Sequence, residues 1–578
     1  MFIPATKEEL KKLGWQKPDI ILITGDTYVD SPFIGISIIG KILIRAGDKV
    51  AIIAQPDGAS GEDIGKFGEP ELFWGVTGGS IDSMVANYTA TKKKRNDDDL
   101  TPGGVNDRRP DRAVIYYSNL IRKYFKNTKP IVLGGIEASL RRVAHYDYWS
   151  DQIRKSILFD SKADYLIYGM GEESVVNLAR RIKSNMPVSD LRGICYISKD
   201  KPDDYIELQS FDEVSRDKNR FIEMFDIFYQ NNDPITAKGL VQKQDTRYLV
   251  QNPPNPNLTQ AQLDEIHDVG FERDVHPFFK KQGKVKALET IKNSLTTHRG
   301  CYGECNFCSI AVHQGRTVIW RSQKSIINEI KEIVGKTGFN GYIPDVGGPT
   351  ANMYGFECRI KMKYGACRDK RCLYPDICSK LDINHNPQIL LLRNIRKIPG
   401  IKKVFVASGI RYDMALDDTK YGEKYLRELT EHHVSGQMKI APEHTEESIL
   451  RLMGKPDTNS LIKFCDLFYT FSKAGGKNQF LTYYLIAAHP GCTTNDMKRL
   501  KSFTSRRLKT NPEQVQIFIP LPSTYSALMY YTERDPFTGR KIFVEKNIKQ
   551  KEIQKLVITE KRNHKKTSAK TYRGKFKK

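Results

Sequence analysis

The run THRGCYGECNFCSI, residues 297–310, sets Cys301, Cys305 and Cys308 within eight residues of a 578-residue chain that has only ten cysteines. Thiolates are soft ligands, and a tight group of them selects zinc, copper(I) or an iron–sulfur cluster. The spacing Cys-x3-Cys-x2-Cys holds no fourth cysteine or histidine inside the loop, whereas structural zinc takes four ligands. His298 just before the loop and His313 five residues after it leave a Cys3His zinc site open by count. Three cysteines on a four-iron cubane would instead leave one iron without a protein ligand, and an open coordination position is what a catalytic centre needs. Gly300 and Gly303 let the backbone curl close to such a group. Arg299 brings positive charge beside Cys301, which favours the thiolate.

Other residues able to do chemistry fall at the ends of apolar runs. DVGGPT (345–350) carries Gly347 and Gly348, and ASGIR (407–411) carries Ser408. IAPEHT holds Glu443 and His444, and AAHPG holds His489. Carboxylates and imidazoles can position a substrate or move a proton near neutral pH when partly buried; each also reads as an ordinary hydrogen-bonded core residue. Four more thiols, Cys358, Cys367, Cys372 and Cys378, lie within twenty-one residues among six lysines and arginines. Their spacing matches no zinc template, and a second metal site is preferred to buried free thiols.

The elements that must position these residues alternate. In residues 1–200, DIILITGD (19–26), KVAIIAQPD (49–57), LFWGVTGG (72–79), KPIVLGGIEAS (129–139) and ADYLIYGMGEES (163–174) read as strands ending in Gly-rich loops. That is the pattern of a mainly parallel, doubly wound sheet, whose ligands bind at the carboxyl ends of the strands. SPFIGISIIGKILIRAG reads as a helix, with Pro32 near its start and Gly47 past its end. Residues 89–112 read as a polar surface loop and 201–285 as a connector of weak periodicity. From Val285 the alternation resumes. LETIKNSLTTHRG reads as a strand entering the cysteine loop, followed by strands at 341–349, 402–413, 435–445, 477–491 and 513–522. Ile326, Ile327, Ile330, Ile333 and Val334 share one helical face between the first two. Six strands alternating with helices predict an α/β fold ending in a partial (β/α)6 barrel over 286–530, with chemistry at the strands' carboxyl ends. Residues 531–578 read as a basic C-terminal tail.

Cys301, Cys305, Phe307 and Cys308 together match Cys-x3-Cys-x-aromatic-Cys. On this motif the chain resembles the radical S-adenosylmethionine (radical SAM) superfamily. The resemblance implies a 4Fe-4S cluster whose free iron chelates S-adenosylmethionine, with radical abstraction of a substrate hydrogen and a reductant such as flavodoxin or ferredoxin. It also implies that Gly347 and Gly348 form the turn binding the methionine amino group through backbone carbonyls, and that Ser408 meets a ribose hydroxyl. More narrowly, GGIEASLRRVAHYDYWSD (134–151), DVGGPTANMYG (345–355), ASGIRYDMA (407–415) and KIAPEHTEES (439–448) resemble the YgiQ-type proteins of that superfamily. The likeness covers most of residues 1–530. Residues 1–200 resemble a cobalamin-binding domain, but Tyr28 stands where such domains carry the cobalt-ligating histidine, so a domain without cobalamin is expected.

The net charge is +24, from 92 Lys and Arg against 68 Asp and Glu. Nine of those basic residues fall in residues 561–578, which contain no acid. RNA or another polyanion is thus a candidate substrate or partner. The competing reading is a non-catalytic zinc or iron–sulfur protein that binds RNA. No secretory leader and no membrane span are evident in the sequence, and a cytoplasmic location, with reduced thiols, is expected.

Overall fold

A computed structural model describes residues 1–513 and 515–560. The first half is built on β1 (Ile20–Thr24), β2 (Val50–Ala54), β3 (Phe73–Thr77), β4 (Ile131–Gly134) and β5 (Tyr165–Ile167), all parallel, in the order β2-β1-β3-β4-β5. Every residue of β1 and β2 is buried, as parallel strands covered on both faces require. Their alternation sorts the core. Ile21, Ile23, Ala51 and Ile53 pack with the helix Ala113–Tyr124 on one face. Ile20, Leu22, Val50 and Ile52 pack with the helices Gly35–Arg45 and Glu172–Lys183 on the other.

The same sheet continues through β6 (Ile194–Ser198), β7 (Ile206–Leu208), β8 (Leu240–Gln244) and β9 (Arg247–Gln251), in the order β5-β6-β9-β8-β7. Three strands of this edge therefore come from the span expected to be a connector. The signal of β8 and β9 is hidden by glutamines that are buried because they are hydrogen-bonded, and β7 is only three residues long. Gln242, Gln244 and Gln251 accept from Ala144 N at 2.9 Å, Ser156 N at 2.9 Å and Arg142 Nε at 3.0 Å. The polar segment 89–112 also departs from expectation. Asp98, Leu100, Thr101, Asn106 and Arg109 are buried, because Arg109 bridges Asp26 at 2.6 Å and Asp98 at 2.9 Å while donating to Gly78 O at 2.9 Å.

In the second half, the segment before the cysteines is a short helix, Ala287–Ile291, and then β10 (Leu295–Thr296). β10 runs parallel to β12 (Val346–Gly347), and β11 (Tyr342–Ile343) parallel to β13 (Lys403–Val404). A parallel bridge Ile410–Ile440 leads to β14 (Gln437–Glu443), which pairs in parallel with β15 (Phe480–Ala487), and β15 with β16 (Val515–Ile517). Helix Gln323–Gly335 turns Ile326, Ile330 and Ile333 into this core, and Ile327 and Val334 pack at its margin. Residues 531–560 are not an open tail. Helix Ile548–Thr559 packs against the second half, with Gln554 joined to Ala488 N at 2.9 Å and Cys492 O at 3.1 Å. The basic run 561–578 lies outside the described residues.

Candidate active site

The loop after β10 brings Cys301, Cys305 and Cys308 onto one cavity of about 150 Å3. Arg411, Glu443 and Lys455 line the same cavity. Gly303 N–H donates to Cys301 Sγ at 3.3 Å, Thr350 Oγ1 lies 3.6 Å from that sulfur, and Arg411 Nη1 lies 3.6 Å from Cys305 Sγ. Donors and positive charge aimed at sulfur suit thiolates. Burial opposes them: it pushes the Cys308 thiol up to about 12 and raises that of Cys301. A cationic metal group resolves this conflict, since it stabilises the buried thiolate directly. Among the described residues no three Cys, His, Asp or Glu side chains converge on a point that would hold one metal ion. Neither His298 nor His313 lines the thiol cavity; both line a larger neighbouring one. Three thiols on a cavity whose lining includes no histidine fit a group that takes three thiolates from the chain.

Arg299 does not supply the charge beside Cys301. It donates to Glu172 Oε1 at 2.6 Å, and both side chains are buried. Arg411 takes that place, held by Asp413 at 2.9 and 2.5 Å.

The two glycines at the end of β12 each admit a specific neighbour. A Cβ on Gly347 would meet Ser408 Oγ at 2.7 Å, and one on Gly348 would meet His298 Cε1 at 2.6 Å. Gly347 O already accepts from Thr297 N at 2.7 Å and Thr297 Oγ1 at 3.1 Å, so it is not a free acceptor. Ser408 Oγ donates to Asp345, whose carboxylate also accepts Ala407 N at 2.8 Å and Ser408 N at 3.0 Å. Asp345 is thus a site residue that the sequence reading passed over, although it opens the DVGGPT run.

Glu443 ends β14 at a break in register, with φ 66°. A non-glycine residue held there is strained, and such strain gathers at functional sites. Burial raises its carboxyl, which sits 3.9 Å from Lys455. His444 faces elsewhere. Its Nδ1 accepts from Glu446 N at 3.0 Å, its Nε2 lies 3.7 Å from Cys492 Sγ, and it lines neither cavity. His489 is likewise internal, bound to Ser526 Oγ at 2.7 Å, with the edge of Phe307 against its ring. Cys358 and Cys372 pack in a small core around Tyr302, and Lys361 Nζ lies 3.4 Å from Cys372 Sγ. Tyr28 is buried, accepts from Ile3 N at 3.1 Å and stacks on His276.

The larger cavity, about 460 Å3, separates the carboxyl ends of β1, β3, β4 and β5 from β10, β12 and Ser408. Arg299 and Glu172 tie its two walls together.

The family model described as Radical SAM N-terminal matches residues 2–294. Over 566 residues the chain is 59% identical to UPF0313 protein FN0734 of Fusobacterium nucleatum subsp. nucleatum, covering 98% of this chain and 100% of that relative. It is 48% identical over 552 residues to the UPF0313 protein of Thermotoga maritima, covering 95% and 97%. Among solved structures it is similar to the radical S-adenosylmethionine methyltransferase TsrM from Kitasatospora setae, solved with cobalamin and a 4Fe-4S cluster. That match has a TM-score of 0.49 and 12% identity over 89% of this chain and 78% of that one.

Proposed function

From the premise that this chain belongs to the UPF0313 family of radical S-adenosylmethionine proteins and is an enzyme of that class, we propose that Cys301, Cys305 and Cys308 hold a 4Fe-4S cluster and leave its fourth iron to S-adenosylmethionine. Such a cluster, bound and reduced, would supply the one electron that splits the C5′–S bond of S-adenosylmethionine into methionine and a 5′-deoxyadenosyl radical able to abstract a substrate hydrogen. The chain's own residues prepare the place. Arg411 offsets thiolate charge from 3.6 Å. Lys455 and Arg411 offer positive charge, and Glu443 an acceptor, on the wall where a zwitterionic amino acid group would sit. Asp345 fixes Ser408 at the mouth of the larger cavity. The six strand positions read as a partial (β/α)6 barrel behind a doubly wound N-terminal domain, which puts the thiols and Glu443 at strand carboxyl ends.

The observation that carries this reading is three thiols on one cavity beside Arg411 and Lys455, with both nearby histidines on another. Anaerobic reconstitution followed by S-adenosylmethionine and dithionite tests it. About four irons per chain are expected, with slow release of 5′-deoxyadenosine. Replacing Cys301, Cys305 and Cys308 with Ala should abolish that product; continued cleavage in the triple variant refutes the assignment.

A further inference from the structure

We infer that the cavity between the two halves holds the substrate, and that this substrate is a small, largely apolar molecule carrying a hydrogen-bond donor that Glu172 accepts. Calling the occupant a substrate rests on the radical reading of the thiol site. The recognition chemistry rests on the cavity alone.

Four observations converge. First, Ile310 and Pro349 line both this cavity and the thiol cavity, so its occupant lies next to the proposed cofactor site. Second, the opposite wall is mostly aliphatic and aromatic, with Phe33, Ile34, Ile36 and Ile39 among its side chains. A concave apolar site with few polar groups is how proteins hold small molecules. Third, three of the polar side chains on this cavity have an atom without a partner. Glu172 is 4% exposed; its Oε1 binds Arg299 at 2.6 Å, and its Oε2 has no hydrogen-bond partner. His298 Nε2 and His313 Nδ1 on the same cavity are also unpartnered. An unsatisfied buried acceptor is destabilising, and a ligand donor would remove that penalty. Arg299 fixes one carboxylate oxygen and so leaves the other as the acceptor.

Fourth, Arg109, bound to Asp26, Asp98 and Gly78 O, narrows the crevice between β1 and β3 where a doubly wound sheet usually admits a nucleotide-sized ligand, although Thr24, Asp26, Thr77 and Gly79 still line the cavity. A side chain on Gly79 would meet Arg109 Nη1 at 2.8 Å. About 460 Å3 therefore remains, room for a small molecule and not for a nucleic acid strand.

The test uses phenol, an apolar ring with a donor, and anisole, the same ring without one, on the reconstituted full chain by ligand-detected NMR. Phenol should bind in the millimolar range, and about tenfold more tightly than anisole. Glu172→Gln keeps an oxygen for Arg299 and turns an N–H toward the cavity, so the phenol preference should fall below about threefold. Gly134→Phe adds a ring where a Cβ meets nothing within 4 Å and where φ is −154°. It should exclude both probes without lowering the melting temperature. Equal binding of the probes, a preference unchanged by Glu172→Gln, binding that survives Gly134→Phe, or no binding at all would each overturn the inference. Release of 5′-deoxyadenosine, scored on the same preparation, reports separately on the radical reading.

Discussion

Arg411 faces Cys305 with one guanidinium nitrogen at 3.6 Å and gives two others to Asp413. The acid locks the rotamer but does not cancel the field at the sulfur, because it lies on the far side of the fork. Arg411→Met should therefore leave iron binding largely intact and make the cluster harder to reduce, by on the order of 100 mV. Anaerobic potentiometry followed by electron paramagnetic resonance measures this. An unchanged potential would mean that Arg411 is only packing.

Gly348→Ala tests the close approach of His298. The new Cβ would sit 2.6 Å from Cε1 and 2.9 Å from Nδ1 of a fully buried ring that Thr297 Oγ1 anchors at 2.8 Å. Overpacking of this kind costs about 1–3 kcal/mol. Gly134→Ala, in open space, should cost less than about 0.5 kcal/mol. Equal melting temperatures for the two variants would remove the steric argument.

Glu172 and Arg299 form a buried ion pair between the two halves, from opposite walls of one cavity. Arg299→Met leaves a buried carboxylate alone and should destabilise by about 3–5 kcal/mol. Adding Glu172→Leu to Arg299→Met should restore about 2 kcal/mol or more. Urea denaturation of the four proteins gives the coupling, and additive effects would deny it.

Lys551 has no carboxylate partner within ion-pair distance among the described residues. Its Nζ lies 2.8 Å from Tyr530 Oη and 3.2 Å from Tyr148 Oη, above both rings. Burial first, then repulsion from Lys92, lowers its ammonium to about 8. Between about pH 8 and 10.5 the unfolded chain binds the proton that the folded chain has lost, so this group's contribution to stability rises with pH there. Below about pH 8 the full penalty applies. Lys551→Met should consequently hold an advantage at pH 7.5 that shrinks by about 3 kcal/mol at pH 10.5. Tyr148, pushed up to about 12 by burial, does not titrate in that window. A pH-independent difference between the two proteins would contradict the assignment.

What could be read in advance was local or periodic. The thiol spacing and the runs that became β1 to β5 declared themselves because their information lies within a few residues. β8 and β9 did not, since buried glutamines satisfied by Ala144, Ser156 and Arg142 look like surface residues in a linear pattern, and β7, at three residues, is too short to show a period. Arg299 sat next to Cys301 in sequence, yet its partner is 127 residues away. His444 and Glu443 are neighbours, but only Glu443 reaches the thiol cavity, at the point where its φ of 66° breaks the strand.

Asp26, Asp98 and Arg109 form one closed charge triad, and its members are not free to vary singly. A relative that exchanged Arg109 for a neutral residue would strand two acids side by side away from water, so at least one of them must vanish in the same lineage. Joint turnover at 26, 98 and 109, with independent drift at the exposed positions between them, would be the evolutionary imprint of a sheet that long ago adopted its own guanidinium as a permanent tenant.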